Sequence, residues 1–271
     1  MTTATTENQT ENRSDSQVAE QNFTALTVTE TDDYLLVELT RPEVRNAIDE
    51  VMVSELHEVC SYLEQQPKIL IITGCEVNGK GIFVSGADIA QLRERRRDDA
   101  LRGINNMLFH RIAQLPSPVI AAVDGYALGG GLELALAADF RLCTPHAKFG
   151  QPEAGLGIIA AAGGLWRLKD LIGEAVAKEI LLAGKILDGA QALNIHLVTE
   201  VHEPEELLDG ALALAQRIAA LDPLAVRISK QVMAMPAGAH PQVDNIAQAI
   251  LFESEAKFDR MQAFLDRKKN K

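Results

Sequence analysis

Residues 119–140, VIAAVDGYALGGGLELALAADF, carry only three charged side chains, Asp124, Glu133 and Asp139. An element with one face in water alternates apolar and polar positions, every second residue in a strand and every third or fourth in a helix. This stretch does neither. VIAAV reads as a strand covered on both faces, and LELALAA, opened by Gly129, Gly130 and Gly131, as a helix buried on all sides. Elements that need cover on every side belong at the centre of a layered α/β fold. Glu133 in that helix then needs a reason, because burying an unpaired carboxylate is costly.

The rest of the chain fits the same class. LTVTET and LLVEL alternate around Asp32 and Asp33 as a hairpin, Ile48 to Leu63 carry a helical apolar stripe, and ILIIT (residues 69–73) is a second strand buried on both faces. GIFVSGAD, a helix through Leu92, a helix around INNMLFHRIAQL and the strand VIAAV continue the alternation. After a strand near FRLCT come helices near 174–183 and 188–194 and the short strand LVTEV. Beyond residue 204 the pattern is wholly helical, ending in one helix over about 241–268. The expected division is a disordered polar leader (1–22), an α/β core (23–203) and a C-terminal helical region (204–271).

A net charge of −12 excludes a phosphate-backbone partner, since nucleic-acid binders concentrate basic residues. The dense basic run RERRR, Arg93–Arg97, reads as a solvated helix face. Cys60, Cys75 and Cys143 form no CxxC pair, so neither a disulfide nor a zinc site is expected. No apolar run is long enough for a membrane span and the leader has no signal-peptide pattern, so the expected location is cytoplasmic.

Two turns carry candidate chemistry. At Gly129–Gly131 a strand passes into a helix whose first N–H groups lack intrahelical partners. FVSGAD, residues 83–88, has the same character. Two such turns can each offer one N–H to a shared oxygen, an oxyanion hole for charge developing on a carbonyl. Neither G-x-G-x-x-G nor a Walker A sequence is present, and Ser85 lacks the G-x-S-x-G elbow of a hydrolase nucleophile. Glu133 follows Gly130 by one helical turn, and Glu153 approaches from FGQPEAGLGII. Two carboxyls around one water titrate as a coupled pair and can serve as acid and base. The alternative is that each is a structural acid paired with Arg141, Arg167 or Lys148.

In TRPEVRNAID, FVSGADIAQL, PVIAAVDGYALGGGLELALAADFRL and FGQPEAGLGIIAAAGGLWRL the chain resembles the crotonase superfamily, and within it enoyl-CoA hydratase. The resemblance implies an α/β spiral of ββα units with a C-terminal helical region that assembles homotrimers or dimers of trimers. It implies an acyl-CoA thioester as substrate, with the carbonyl held by the Ala87 and Gly130 N–H groups, Glu133 on the water and Glu153 on the α-carbon proton. Arg41, Arg45, Ala47, Asp88, Ile89 and Ala90 would contact substrate or its CoA portion, and neither metal nor redox cofactor is implied. Ala160–Ala161 stand where hydratases commonly have Pro-Gly, and Ala90 where a basic residue often follows GADI. The expected activity is hydration of a 2-trans-enoyl-CoA. An enoyl-CoA isomerase or hydratase-lyase of the same fold is the alternative, and a non-catalytic CoA-binding or RNA-binding scaffold the alternative of another class.

Overall fold

The computed structural model describes residue 18 and residues 21–269. The expected leader therefore lies almost wholly outside the described residues, but Val18 is fully buried in the main core, so apolar anchoring begins before residue 23.

The hairpin is β1 (Leu26–Glu30) paired antiparallel with β2 (Tyr34–Leu39). Helix α1 (Glu50–Gln65) follows, its N-terminus capped by Asp49, which accepts from Met52 N at 2.9 Å. It leads into β3 (Ile69–Thr73), the small hairpin β4 (Cys75–Val77) and β5 (Lys80–Ile82), and helices α2 (Ile89–Glu94), α3 (Arg97–Arg102) and α4 (Ile104–Ala113). Strands β6 (Val119–Val123) and β7 (Tyr126–Leu128) precede α5 (Gly130–Ala137). Then come β8 (Phe140–Cys143), β9 (Lys148–Gly150), α6 (Gly164–Ile172), α7 (Glu174–Ala183), β10 (Leu187–Asp188), α8 (Gly189–Asn194) and β11 (Glu200–Val201). Helices α9 (Leu207–Ala219), α10 (Pro223–Met233), α11 (Gln242–Phe252) and α12 (Glu255–Lys269) complete the described chain.

The large sheet runs β1-β2-β3-β6-β8-β11, parallel from β2 onward, and the small one β10-β9-β7. Each of the pairs β6–β7 and β8–β9 gives its first strand to the large sheet and its second to the small one, which is the expected spiral. The unbroken apolar strands are explained by cover on both faces. Leu70, Ile72, Val119, Ala121 and Val123 pack with α1, α4 and α5. Their neighbours Ile69, Ile71, Ile120 and Ala122 pack against Leu207, Ala211, Leu214 and Ala215 of α9.

Three details depart from expectation. Helix α6 is not legible in the sequence, because its opening Gly163–Gly164 reads as loop. The terminal helix is two helices: Ser254 Oγ donates to Leu251 O at 2.8 Å and accepts from Lys257 N at 3.3 Å, closing α11 and opening α12. LVTEV contributes only two residues to the sheet. No helix among the described residues is long and apolar enough to cross a membrane.

Candidate active site

The site forms where α5 begins. Gly129 has φ +52°, a conformation that favours glycine, and a Cβ on it would lie 2.8 Å from Glu153 Oε1. At Gly131 a Cβ would lie 2.2 Å from the carbonyl oxygen of Val84, so α5 starts pressed against the FVSGAD segment. That segment is held by Val84 N donating to Tyr126 O and Leu128 N donating to Val84 O, at 2.9 and 3.2 Å. On its other side Ile48 N donates to Gly86 O and Asp88 N to Ile48 O, both at 2.9 Å. This ladder skips Ala87, whose N–H has no partner among the described residues; nor has that of Gly130, the first residue of α5. A Cβ on Gly130 would lie 3.6 Å from Ala87 N. Two free donors thus adjoin one small volume.

Glu133, one turn into α5, is only 4% exposed. Its Oε1 accepts from Ala162 N at 2.7 Å and Gly164 N at 2.9 Å, at the loop that enters α6. Burial pushes its carboxyl up to about 7, with the charge of Glu153 adding to the rise and the two N–H groups and Arg167 opposing it. Glu153, 9% exposed, opens a 3-10 turn over Glu153–Leu156, and burial raises its pKa also. With the Gln151 amide turned to donate, its nitrogen lies 3.0 and 2.9 Å from the two Glu153 carboxylate oxygens. Neither acid has an ion-pair partner among the described residues. Arg141 instead donates to Leu197 O and Ala138 O, and Arg167 to Ala162 O. Arg167 acts on Glu133 only through its charge, and the pairing alternative is not what the structure shows.

Both acids, Ser85, Ala87, Ile89 and Gly130 line a cavity of about 690 Å³. The other expected substrate contacts lie on the two segments that the Ile48–Ala87 bridge joins. Asp88 caps α2 by accepting from Gln91 N at 2.9 Å, and Ala90 is exposed on that helix. Ala47 and Arg45 lie on the neighbouring loop, joined to the FVSGAD segment by Ser85 N donating to Arg45 O at 3.1 Å. Arg41 is engaged within that loop, donating to Ala47 O at 2.7 Å and pairing with Asp49 at 2.9 Å. None of Arg41, Arg45, Ala47, Asp88 and Ala90 is on the cavity wall.

The reading of Arg93–Arg97 as one solvated helix face is corrected in part: Arg93, Arg96 and Arg97 are exposed, but the run does not form one helix. Helix α2 ends at Glu94, the chain turns, and Arg95, Arg96 and Arg97 contribute to the cavity wall. Helical periodicity gives no sign of that break. Asn105 on α4 and Gln151 also escape a reading of the sequence, since nothing local distinguishes them from ordinary polar residues.

The raised pKa of Glu133 has a consequence for stability. A carboxyl whose folded pKa exceeds its unfolded value adds stability below the ordinary 4.5, and that contribution is lost as pH rises through about 7. Glu133→Gln keeps an acceptor for the two N–H groups and cannot ionise. It is expected to be more stable than the parent at pH 8 by on the order of 2–3 kcal/mol, with little difference at pH 4.5. Urea unfolding at both pH values measures this; an equal difference at both would show that Glu133 ionises normally.

A sequence model of the enoyl-CoA hydratase/isomerase family matches residues 30–271. The chain is 38% identical to a short-chain-enoyl-CoA hydratase of Clostridium acetobutylicum, over 86% of this chain and 92% of that protein. It is 37% identical to a crotonyl-CoA hydratase of Syntrophomonas wolfei, over 85% and 91% of the two chains. The crystal structure of an enoyl-CoA hydratase from Bacillus anthracis superposes with a TM-score of 0.84 at 28% identity, covering 90% of this chain and 97% of that one.

Proposed function

The chain belongs to the enoyl-CoA hydratase/isomerase family and is a hydro-lyase with enoyl-CoA hydratase activity, and on that premise we propose that Glu133 and Glu153 jointly hydrate a short-chain 2-trans-enoyl-CoA. The observation that carries this reading is the placement of two buried acids beside two unpaired N–H donors, with Glu133 on the helix that Gly130 opens and Glu153 against Gly129.

The thioester carbonyl oxygen accepts from Ala87 N–H and Gly130 N–H. Water held at Glu133 attacks C3 as Glu133 takes its proton, the C3–O bond forms, and the π electrons move onto the carbonyl oxygen as an enolate. The two donors stabilise that charge more than the neutral carbonyl, which lowers the barrier. The enolate collapses, C2 takes a proton from Glu153, and a 3-hydroxyacyl-CoA results. The pair begins and ends with one shared proton, now on Glu133, and re-equilibrates through water. The apolar surroundings that raise both pKa values keep that proton available near neutral pH. Each step uses the two acids, the backbone and water, without a metal or redox cofactor. The CoA portion leaves along Arg41–Ala47 and Asp88–Ala90, segments that the Ile48–Ala87 bridge holds side by side.

The assembly we infer is a homotrimer or a pair of trimers. Ile246, Ile250 and Phe252 on α11 and Phe258, Met261, Phe264 and Leu265 on α12 are all exposed in the single chain, more apolar surface than an isolated helical end retains in water.

Enoyl-CoA thioesters that differ in length and double-bond position test the reaction. Crotonyl-CoA is expected to be hydrated, and faster than a 3-enoyl-CoA is isomerised. The reverse order would assign an isomerase, which can shuttle a proton with one glutamate.

A further inference from the structure

We infer that Asn105 supplies a third hydrogen bond to the substrate's carbonyl oxygen, through its side-chain amide nitrogen. The inference rests on the oxyanion reading of Ala87 and Gly130. Asn105 is the second residue of α4 and contributes to the cavity wall. The position of a Cβ on Gly130 is a convenient reference point: Ala87 N lies 3.6 Å from it and Asn105 Nδ2 3.9 Å, while standard bond lengths put Gly130 N about 2.5 Å away. Three nitrogens from three separate elements therefore surround one small volume.

Asn105 is not held there by hydrogen bonds within the protein. Its Oδ1 is buried with no partner, and Nδ2 makes no hydrogen bond among the described residues. Buried polar atoms are nearly always paired, and an orphan of this kind asks for an explanation. The substrate's carbonyl oxygen cannot fill that gap, since Oδ1 needs a donor; what the unpaired oxygen shows is that no protein hydrogen bond fixes this end of the amide, while Nδ2, beside Gly130 and Ala87, is placed to donate to a ligand. The amide is a neutral donor at every pH, so it strengthens its bond as charge moves onto the oxygen and adds no titration of its own.

The test combines turnover of crotonyl-CoA with the absorbance of bound acetoacetyl-CoA, whose enolate form the donors stabilise. Asn105→Ala is expected to slow turnover on the order of 10- to 100-fold, a smaller loss than the roughly 100- to 1,000-fold typical of a principal donor. KM should stay within about threefold and the enolate band of the parent protein should weaken. Asn105→Asp keeps the size but turns an acceptor, ionised at neutral pH, toward the developing charge, so its loss is larger and grows with pH. A purely structural Asn105 predicts otherwise. Its alanine variant would keep both kcat and the band, with any change confined to the thermal midpoint, and that result overturns the inference alone. A parent protein that binds acetoacetyl-CoA without an enolate band overturns the oxyanion reading and this inference together.

Discussion

Glu133→Gln and Glu153→Gln each slow crotonyl-CoA hydration by at least about a hundredfold, and the double variant is only slightly worse than the poorer single one. The magnitude follows from loss of a positioned acid–base group, and the non-additivity from two residues acting as one proton-handling unit. The substitutions are close in shape, so the loss is chemical. Glutamine at 133 still accepts from Ala162 N and Gly164 N, and at 153 it still faces Gln151 across an amide–amide contact. Circular dichroism and oligomer mass therefore match the parent while turnover does not. If one substitution removed activity and the other left it within a few-fold of the parent, the reaction would be proceeding through a single glutamate.

Gly130→Pro tests the backbone half of the site. Side-chain substitution cannot remove an N–H, whereas proline does, and Gly130 is the first residue of α5, the helical position where proline is best accepted. The added Cβ finds room, since it meets Ile48 Cδ1 at 3.4 Å and nothing nearer. The ring also stands where the carbonyl oxygen would sit. Turnover is expected to fall by about 100- to 1,000-fold or more with the helix retained, and the acetoacetyl-CoA enolate band to disappear. Retention of both would mean that charge on the carbonyl is stabilised somewhere other than Gly130.

The parts of this site that can be read from the chain are those that break a local pattern. Glu133 interrupts a wholly apolar helix, Glu153 precedes a run of small apolar residues, and the glycine triplet opens that same apolar helix. Each violates a short-range rule, and Glu133, Glu153, Gly129 and Gly130 all line the cavity. The buried strands are equally plain, because Ile69–Thr73 and Val119–Val123 alternate between two cores rather than between core and water. What cannot be read depends on distant contacts. The bonds that hold Glu133 come from residues 29 and 31 positions away. Gln151 gains meaning only beside the folded Glu153 turn, and Asn105 only where α4 meets the start of α5. Arg95–Arg97 border the cavity only because α2 ends at Glu94, with Arg96 and Arg97 still exposed, and α6 hides behind two glycines that serve as its entry.

The central claim is that water adds across C2 and C3 through an enolate, and the most direct measurement is the fate of crotonyl-CoA incubated with the parent protein in D2O. The product is expected to be 3-hydroxybutyryl-CoA carrying one deuteron at C2, delivered to a single face by Glu153, with oxygen at C3 drawn from solvent. Recovery of crotonyl-CoA without hydroxylated product, or of a product deuterated at C4 with the double bond moved, would contradict it.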